Sequence, residues 1–269
     1  MKNTENFVKP SSNSDTQPLC EMHNRWPRAE SVQDFIDNLA AVQSRIESAC
    51  QRSGRKVSDV RLLPVSKTMD ETHIRMAYKA GCRLLGENKV QEAWRKSQAM
   101  SELSDLRWSV IGHLQSNKAK FVARFASEFQ ALDSFNTAEI LDRRLRIEGR
   151  TLNVFVQVNT SAEPCKFGLA PEAVVDFMEK LNPLKNLQVI GLMTLAEFSS
   201  DADRVRACFI RLRKLRDQLA DAYGNLQLSM GMSGDFEIAI EEGANIVRVG
   251  QAIFGARSIP DEYFWPKGE

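Results

Sequence analysis

The chain has 269 residues, 43% of them hydrophobic, and its 36 basic and 35 acidic side chains leave a formal net charge of +1. That composition supports one large core, within the roughly 250-residue size of single-domain β/α barrels. So even a charge balance gives no reason to expect nucleic acid or an anionic membrane as the main partner. No stretch approaches the ~18 consecutive apolar residues of a membrane helix. The five cysteines (Cys20, Cys50, Cys82, Cys165 and Cys208) are odd in number and form no C-x-x-C pair. This argues against a disulfide framework or zinc ribbon and points to a reducing cytoplasm.

Residues 1–28 are polar and lack the apolar run of a secretory leader. They read as a flexible tail, and residues 29–269 as one barrel domain. A helix is expected over Ser31–Ser53. Ser31 is its cap, Asp34 stands in for a capping-box Glu, and Gly54 stops it. Short apolar runs then alternate with amphipathic ones. Strands are expected at Val60–Val65, Arg83–Leu85, Trp108–Ile111 and Phe129–Leu132, then at Leu152–Val158, Val189–Leu195, Leu226–Met230 and Ile246–Val249. Helices are expected between them at Asp70–Ala80, Val90–Met100, Asn117–Phe125, Thr137–Ile147, Pro171–Leu181, Asp203–Ala222 and Asp235–Glu242. Such alternation implies parallel strands with crossover helices. Eight units close most simply into a (β/α)8 TIM barrel, with a doubly wound open sheet as the alternative.

Barrel chemistry sits at the C-terminal ends of the strands, often with a phosphate site after strands 7 and 8. Strand 1 ends in Val65-Ser66-Lys67-Thr68. Partial desolvation there would lower the Lys67 pKa, and a neutral lysine amine attacks aldehydes. A solvated lysine at a strand end is the plain alternative. Strand 7 runs into Met230-Gly231-Met232-Ser233-Gly234-Asp235, and strand 8 into Gly250-Gln251. Two Gly-bearing loops on adjacent strands make a phosphate cradle, or two ordinary tight turns. Arg248, within strand 8, needs an acceptor if buried. It reads either as half of an ion pair inside the barrel or as a donor to the ring nitrogen of a pyridine cofactor. The end of strand 2, Gly86-Glu87-Asn88, offers a polar side chain to the pocket, as does the end of strand 3, Ile111 to Lys118, where His113 reads as structural or peripheral; Lys166 is a second lysine at the rim. The Arg211–Arg216 series reads as a solvated helix face.

The stretches VSKT (65–68), GENKVQE (86–92), IGHLQSNK (111–118), GLMT (191–194), SMGMSGD (229–235) and VRVGQAIFGAR (247–257) together resemble the pyridoxal-phosphate homeostasis family. The resemblance spans about residues 31–257. It implies the alanine racemase N-terminal, fold-type III barrel, with pyridoxal 5'-phosphate (PLP) held as a Schiff base on Lys67. It further implies phosphate contacts from Met232, Ser233, Gly234, Gly250 and Gln251, Arg248 at the pyridine nitrogen, and Asn88 in the pocket. The implied role is cofactor homeostasis, with indirect effects on amino-acid pools and no established reaction. Apo PLP-dependent enzymes are the expected partners, and a monomer the expected state. Gln251 stands where the family usually has Thr, and Lys89 where it often has Tyr. A racemase or decarboxylase with an open site is the alternative; such enzymes carry a second domain, for which the roughly twelve residues after Arg257 are too few, and this favours the carrier. A phosphate-binding barrel enzyme without PLP is a third reading.

Overall fold

A computed structural model describes residues 26–163 and 166–256. The strands are β1 (Arg61–Pro64), β2 (Leu84–Glu87), β3 (Arg107–Val110), β4 (Glu128–Leu132), β5 (Leu152–Gln157), β6 (Leu187–Met193), β7 (Gln227–Ser229) and β8 (Ile246–Val249). They form one sheet of eight strands in the order β1-β8-β7-β6-β5-β4-β3-β2, and every pairing is parallel. The ends of that order meet through a Val65–Gly86 bridge and a 3.0 Å bond from Ser66 N–H to the Gly86 carbonyl. The expected barrel is thereby formed, nearly closed, with β1 and β2 joined through that isolated bridge.

Helix α1 (Val32–Ser53) begins at Ser31, whose hydroxyl accepts from the Asp34 N–H while the Asp34 carboxylate accepts from the Ser31 N–H. Asp34 thus completes the capping box that Glu more often supplies. Gly54 closes the helix at φ 67°, a left-handed conformation that glycine adopts without steric cost. The outer layer continues with α2 (Glu71–Lys79), α3 (Val90–Ala99), α4 (Ala119–Phe125), α5 (Phe135–Ile147), α6 (Val174–Leu181), α7 (Ala202–Tyr223), α8 (Phe236–Glu241) and α9 (Gln251–Phe254). Two expected helices begin instead with a 3-10 turn, at Ser116–Lys118 and Pro171–Ala173. Strand β6 runs two residues earlier than its apolar pattern suggests, because its pairing with β5 starts at Leu152–Leu187.

Of the expected tail, residues 1–25 lie outside the described residues. Trp26 accepts a 2.8 Å bond from the Ala256 N–H, Ala29 donates to the Phe254 carbonyl, and Ala29 is buried. Phe35 of α1 meets Phe254 edge to face, with centroids 5.2 Å apart. These contacts fasten the segment after β8 to the start of the barrel domain. The Arg211–Arg216 face is more engaged than a solvated stripe, since Arg213 pairs with Glu242 at 2.9 Å and Arg211 donates to the Thr160 carbonyl.

Candidate cofactor site

Side chains alternate across a strand, and β1 pairs Leu63 with Arg248. Leu63, Val65 and Lys67 therefore share one parity, and Ser66 the other. Lys67 is half-buried, in a turn closed by a 3.1 Å bond from Met69 N–H to the Ser66 carbonyl. The third residue of that turn, Thr68, has φ 68°. A β-branched residue there is strained, by about 1–3 kcal/mol, and persists only where its surroundings hold it.

What holds it is a buried clamp. Lys96 of α3 and Glu87 of β2 both have fully buried side chains and pair at 2.8 Å. The Lys96 ammonium also donates to Glu92 at 2.7 Å and to the Ser66 carbonyl at 3.1 Å. The Ser66 hydroxyl donates to Glu87 Oε1 at 2.6 Å. Both polar ends of Ser66, the residue before Lys67, are thus tied to one ion pair. Burial pushes the Glu87 carboxyl up, against the opposing pull of Lys96 and Ser66. Its Oε2 is buried with no hydrogen-bond partner among the described residues.

The loops after β7 and β8 lie beside this turn. Val65 N–H donates to the Val249 carbonyl at 2.8 Å, and a Cβ built on Gly250 would come within 3.3 Å of the Val65 carbonyl oxygen. The Ser233 hydroxyl accepts from the Gly250 N–H at 3.3 Å, joining the two loops. Asp235 shapes the first loop by accepting from the Met232 N–H at 2.5 Å. Burial raises the Asp235 carboxyl, opposed by that N–H and by the charge of Arg248. A Cβ built on Gly234 would meet nothing within 4 Å. The backbone at Gly234 therefore borders open space that a phosphate can approach, while Ser233 and Gly234 N–H take no backbone partner among the described residues.

Arg248 is 3% exposed. Of the two expectations for it, a direct ion pair inside the barrel is not found among the described residues. Its guanidinium donates to the Ser229 hydroxyl and to the Thr194 carbonyl, each at 2.7 Å. Burial pulls it down to about 10, with Asp235 opposing.

Asn88, half-buried at the end of β2, borders a cavity of about 450 Å³ shared with Lys89, His113, Gln115 and Lys118. His113 stacks on Phe167 with centroids 4.0 Å apart and lies 3.7 Å from Asp133. Lys166 donates to the Ala196 carbonyl at 3.0 Å and pairs with Glu163. No group of three or more His, Cys, Asp or Glu among the described residues is arranged to hold a metal ion. No helix among them is long and apolar enough to cross a membrane. The structure therefore brings Lys67, Met232, Ser233, Gly234, Arg248, Gly250 and Gln251 to the adjoining ends of β1, β7 and β8, with Asn88 across the β1/β2 seam. The sequence reading placed Glu87 at the end of strand 2 without its buried partner, and missed Lys96 and the interior acceptors of Arg248. A glutamate in an apolar strand and a Glu92–Lys96 pair at helical spacing were the available signals.

The family described as alanine racemase, N-terminal domain, matches residues 38–258. A pyridoxal phosphate homeostasis protein of Aquifex aeolicus is 40% identical over 223 residues, covering 82% of this chain and 97% of that one. The Escherichia coli K12 protein of the same name is 36% identical over 236 residues, covering 84% and 98%. Among solved structures, PipY of Synechococcus elongatus with PLP bound aligns at TM-score 0.73 and 34% identity, over 82% of this chain and all of that one. A Clostridium difficile alanine racemase aligns at TM-score 0.65 and 16% identity, over 84% of this chain and 58% of that one, a likeness of fold alone. On this matching sequence and a barrel of the same fold, the chain belongs to the pyridoxal phosphate homeostasis protein family.

Proposed function

We propose that this chain binds PLP, carries it as a Schiff base on Lys67, and serves intracellular PLP homeostasis without a catalytic reaction of its own. The observation that carries this reading is the half-buried Lys67 turn set against two linked Gly-bearing loops, through the approach of Gly250 to Val65. The cofactor, when bound, supplies an aldehyde that captures amines and a ring that withdraws electrons. The Lys67 amine would condense with that aldehyde and release one water. Ser233 and Gly234 would hold the phosphate, with Met232, Gly250 and Gln251 completing the cradle. Gln251 lacks the compact hydroxyl of the usual Thr, so backbone N–H groups carry more of the phosphate. Arg248 would donate to the pyridine nitrogen, and Asn88 would line the pocket. The reading is completed by a monomer that delivers PLP to apo enzymes in a reducing cytoplasm; the buried free thiols of Cys50, Cys82 and Cys208 bear on the reducing setting alone. The names of the relatives, as homeostasis proteins, support the same role.

The test is visible absorbance after incubation with PLP. Wild type is expected to colour and Lys67→Ala to remain colourless after gel filtration. A wild type that stays colourless would favour a phosphate-binding barrel without PLP. The likeness of fold to alanine racemase keeps a racemase or decarboxylase as the second reading. Incubating the PLP-loaded protein with amino acids in deuterated water separates the two. The carrier reading expects no α-proton exchange at enzyme-like turnover, and such exchange would overturn it.

A further inference from the structure

The barrel interior holds a line of polar side chains that reaches Arg248 from the opposite mouth. Arg248 donates to the Ser229 hydroxyl at 2.7 Å, and Ser229 donates to Gln130 Oε1 at 2.6 Å. Gln130 Nε2 donates to Glu128 Oε1 at 2.6 Å, and Arg61 donates to Glu128 Oε2 at 2.8 Å. The direction of every link is forced. A guanidinium has only donors and a carboxylate only acceptors, so the amide and hydroxyl between them have one orientation each. Ser229, Gln130 and Arg248 are all buried, and Glu128 has a side chain only 6% exposed. Arg61, at 39%, is where the line meets water.

We infer that Gln130 and Ser229 are positioning residues that transmit the negative charge of Glu128 to Arg248 and so keep a pyridine nitrogen facing Arg248 unprotonated. This rests on the PLP reading above. A buried guanidinium needs compensating charge. A carboxylate placed directly beside the ring nitrogen would attract a proton onto that nitrogen. Here the carboxylate stands two neutral groups away, and each link polarises the next. Arg248 gains the stabilisation while its own surroundings stay neutral at Ser229 and the Thr194 carbonyl. Burial pulls the guanidinium down to about 10 even with the charge of Asp235 opposing. The other charged groups that bear on it are Asp235, after β7, and Arg61, beyond Glu128. Lys67 follows the strand paired with β8.

The test uses PLP-loaded wild type and the variants Ser229→Ala, Gln130→Leu and Glu128→Gln. Visible absorbance is followed against pH, with PLP affinity and a thermal melt alongside. Wild type is expected to hold its visible band through the neutral and mildly alkaline range. In each variant an alkaline titration is expected to move down by about one pH unit. PLP binding is expected to weaken about tenfold in Ser229→Ala and Gln130→Leu. Ser229→Thr keeps the hydroxyl and should restore the wild-type profile. Variants that fold, colour and titrate as wild type does would overturn the inference. Should the two interior truncations fail to fold, the isosteric Glu128→Gln decides, and an unchanged profile there overturns it. A colourless wild type would instead sink the PLP reading itself.

Discussion

Replacing Lys96 by methionine is expected to cost about 3–5 kcal/mol of stability near neutral pH, the penalty of breaking a buried ion pair on one side. Lys96 and Glu87 are both fully buried. Without Lys96, Glu87 keeps only the Ser66 hydroxyl on Oε1, and its Oε2 already lacks a partner among the described residues. The carboxyl must then stay buried as an anion or take up a proton. Its folded-state pKa is already raised, and Lys96 is the largest influence holding it down. The variant raises it further. A group with a raised folded pKa contributes stability that is full below its unfolded value and lost as pH rises through the folded one. Lys96→Met is therefore expected to be least impaired in acid and to lose stability progressively toward neutral pH, from the ordinary glutamate range upward. Urea melts across that range measure it. Lys96→Met/Glu87→Gln should recover much of the loss, because the fully buried charge is gone and only the partly exposed Glu92 loses its partner. The single variant should also slow PLP capture, since the Ser66 carbonyl loses the donor that braces the strained turn before Thr68. A flat pH response equal to that of wild type would mean the clamp contributes nothing.

Gly112→Ala is expected to destabilise by about 1–3 kcal/mol through overpacking and to weaken PLP binding as well. A Cβ at Gly112 would lie 2.2 Å from the Asn88 carbonyl oxygen and 2.9 Å from both the Asn88 carbonyl carbon and Cα. Those are backbone atoms, so no side-chain rotation relieves the clash. Either the β3 end or the Asn88 segment must move, and Asn88 is among the residues proposed to line the cofactor pocket. Denaturant midpoints and PLP titration measure the two effects. A variant with wild-type stability and affinity would show that Asn88 can shift without consequence.

Much of the barrel was legible because its signals are local. Apolar runs of strand length, amphipathic runs between them, Ser31 with Asp34, and Gly54 each state their own conformation. The adjacency of the Lys67 turn to the Gly234 and Gly250 loops was legible because strand ends in a closed barrel have fixed neighbours. The clamp was less so. GENKVQE drew attention to Asn88, which shares the inward parity of Lys67, while Glu87 next to it points the other way, toward Lys96 on α3. The acceptors of Arg248 were hidden for a different reason. Glu128 and Gln130 alternate with apolar residues in β4, a pattern that ordinarily marks a solvent-facing side. Only closure of the sheet turns that side into a barrel interior, where a carboxylate from β4 reaches an arginine from β8 by way of Ser229 from β7. Such a line comes from three strands far apart in sequence, and no spacing announces it.

The central claim is that one lysine, Lys67, holds the cofactor. Borohydride reduction of the PLP-incubated protein fixes the carbon–nitrogen bond irreversibly, and peptide mass mapping then locates it. The label is expected on Lys67, in near-stoichiometric yield. A label on Lys166 or any other lysine, with Lys67 unmodified, would contradict the account.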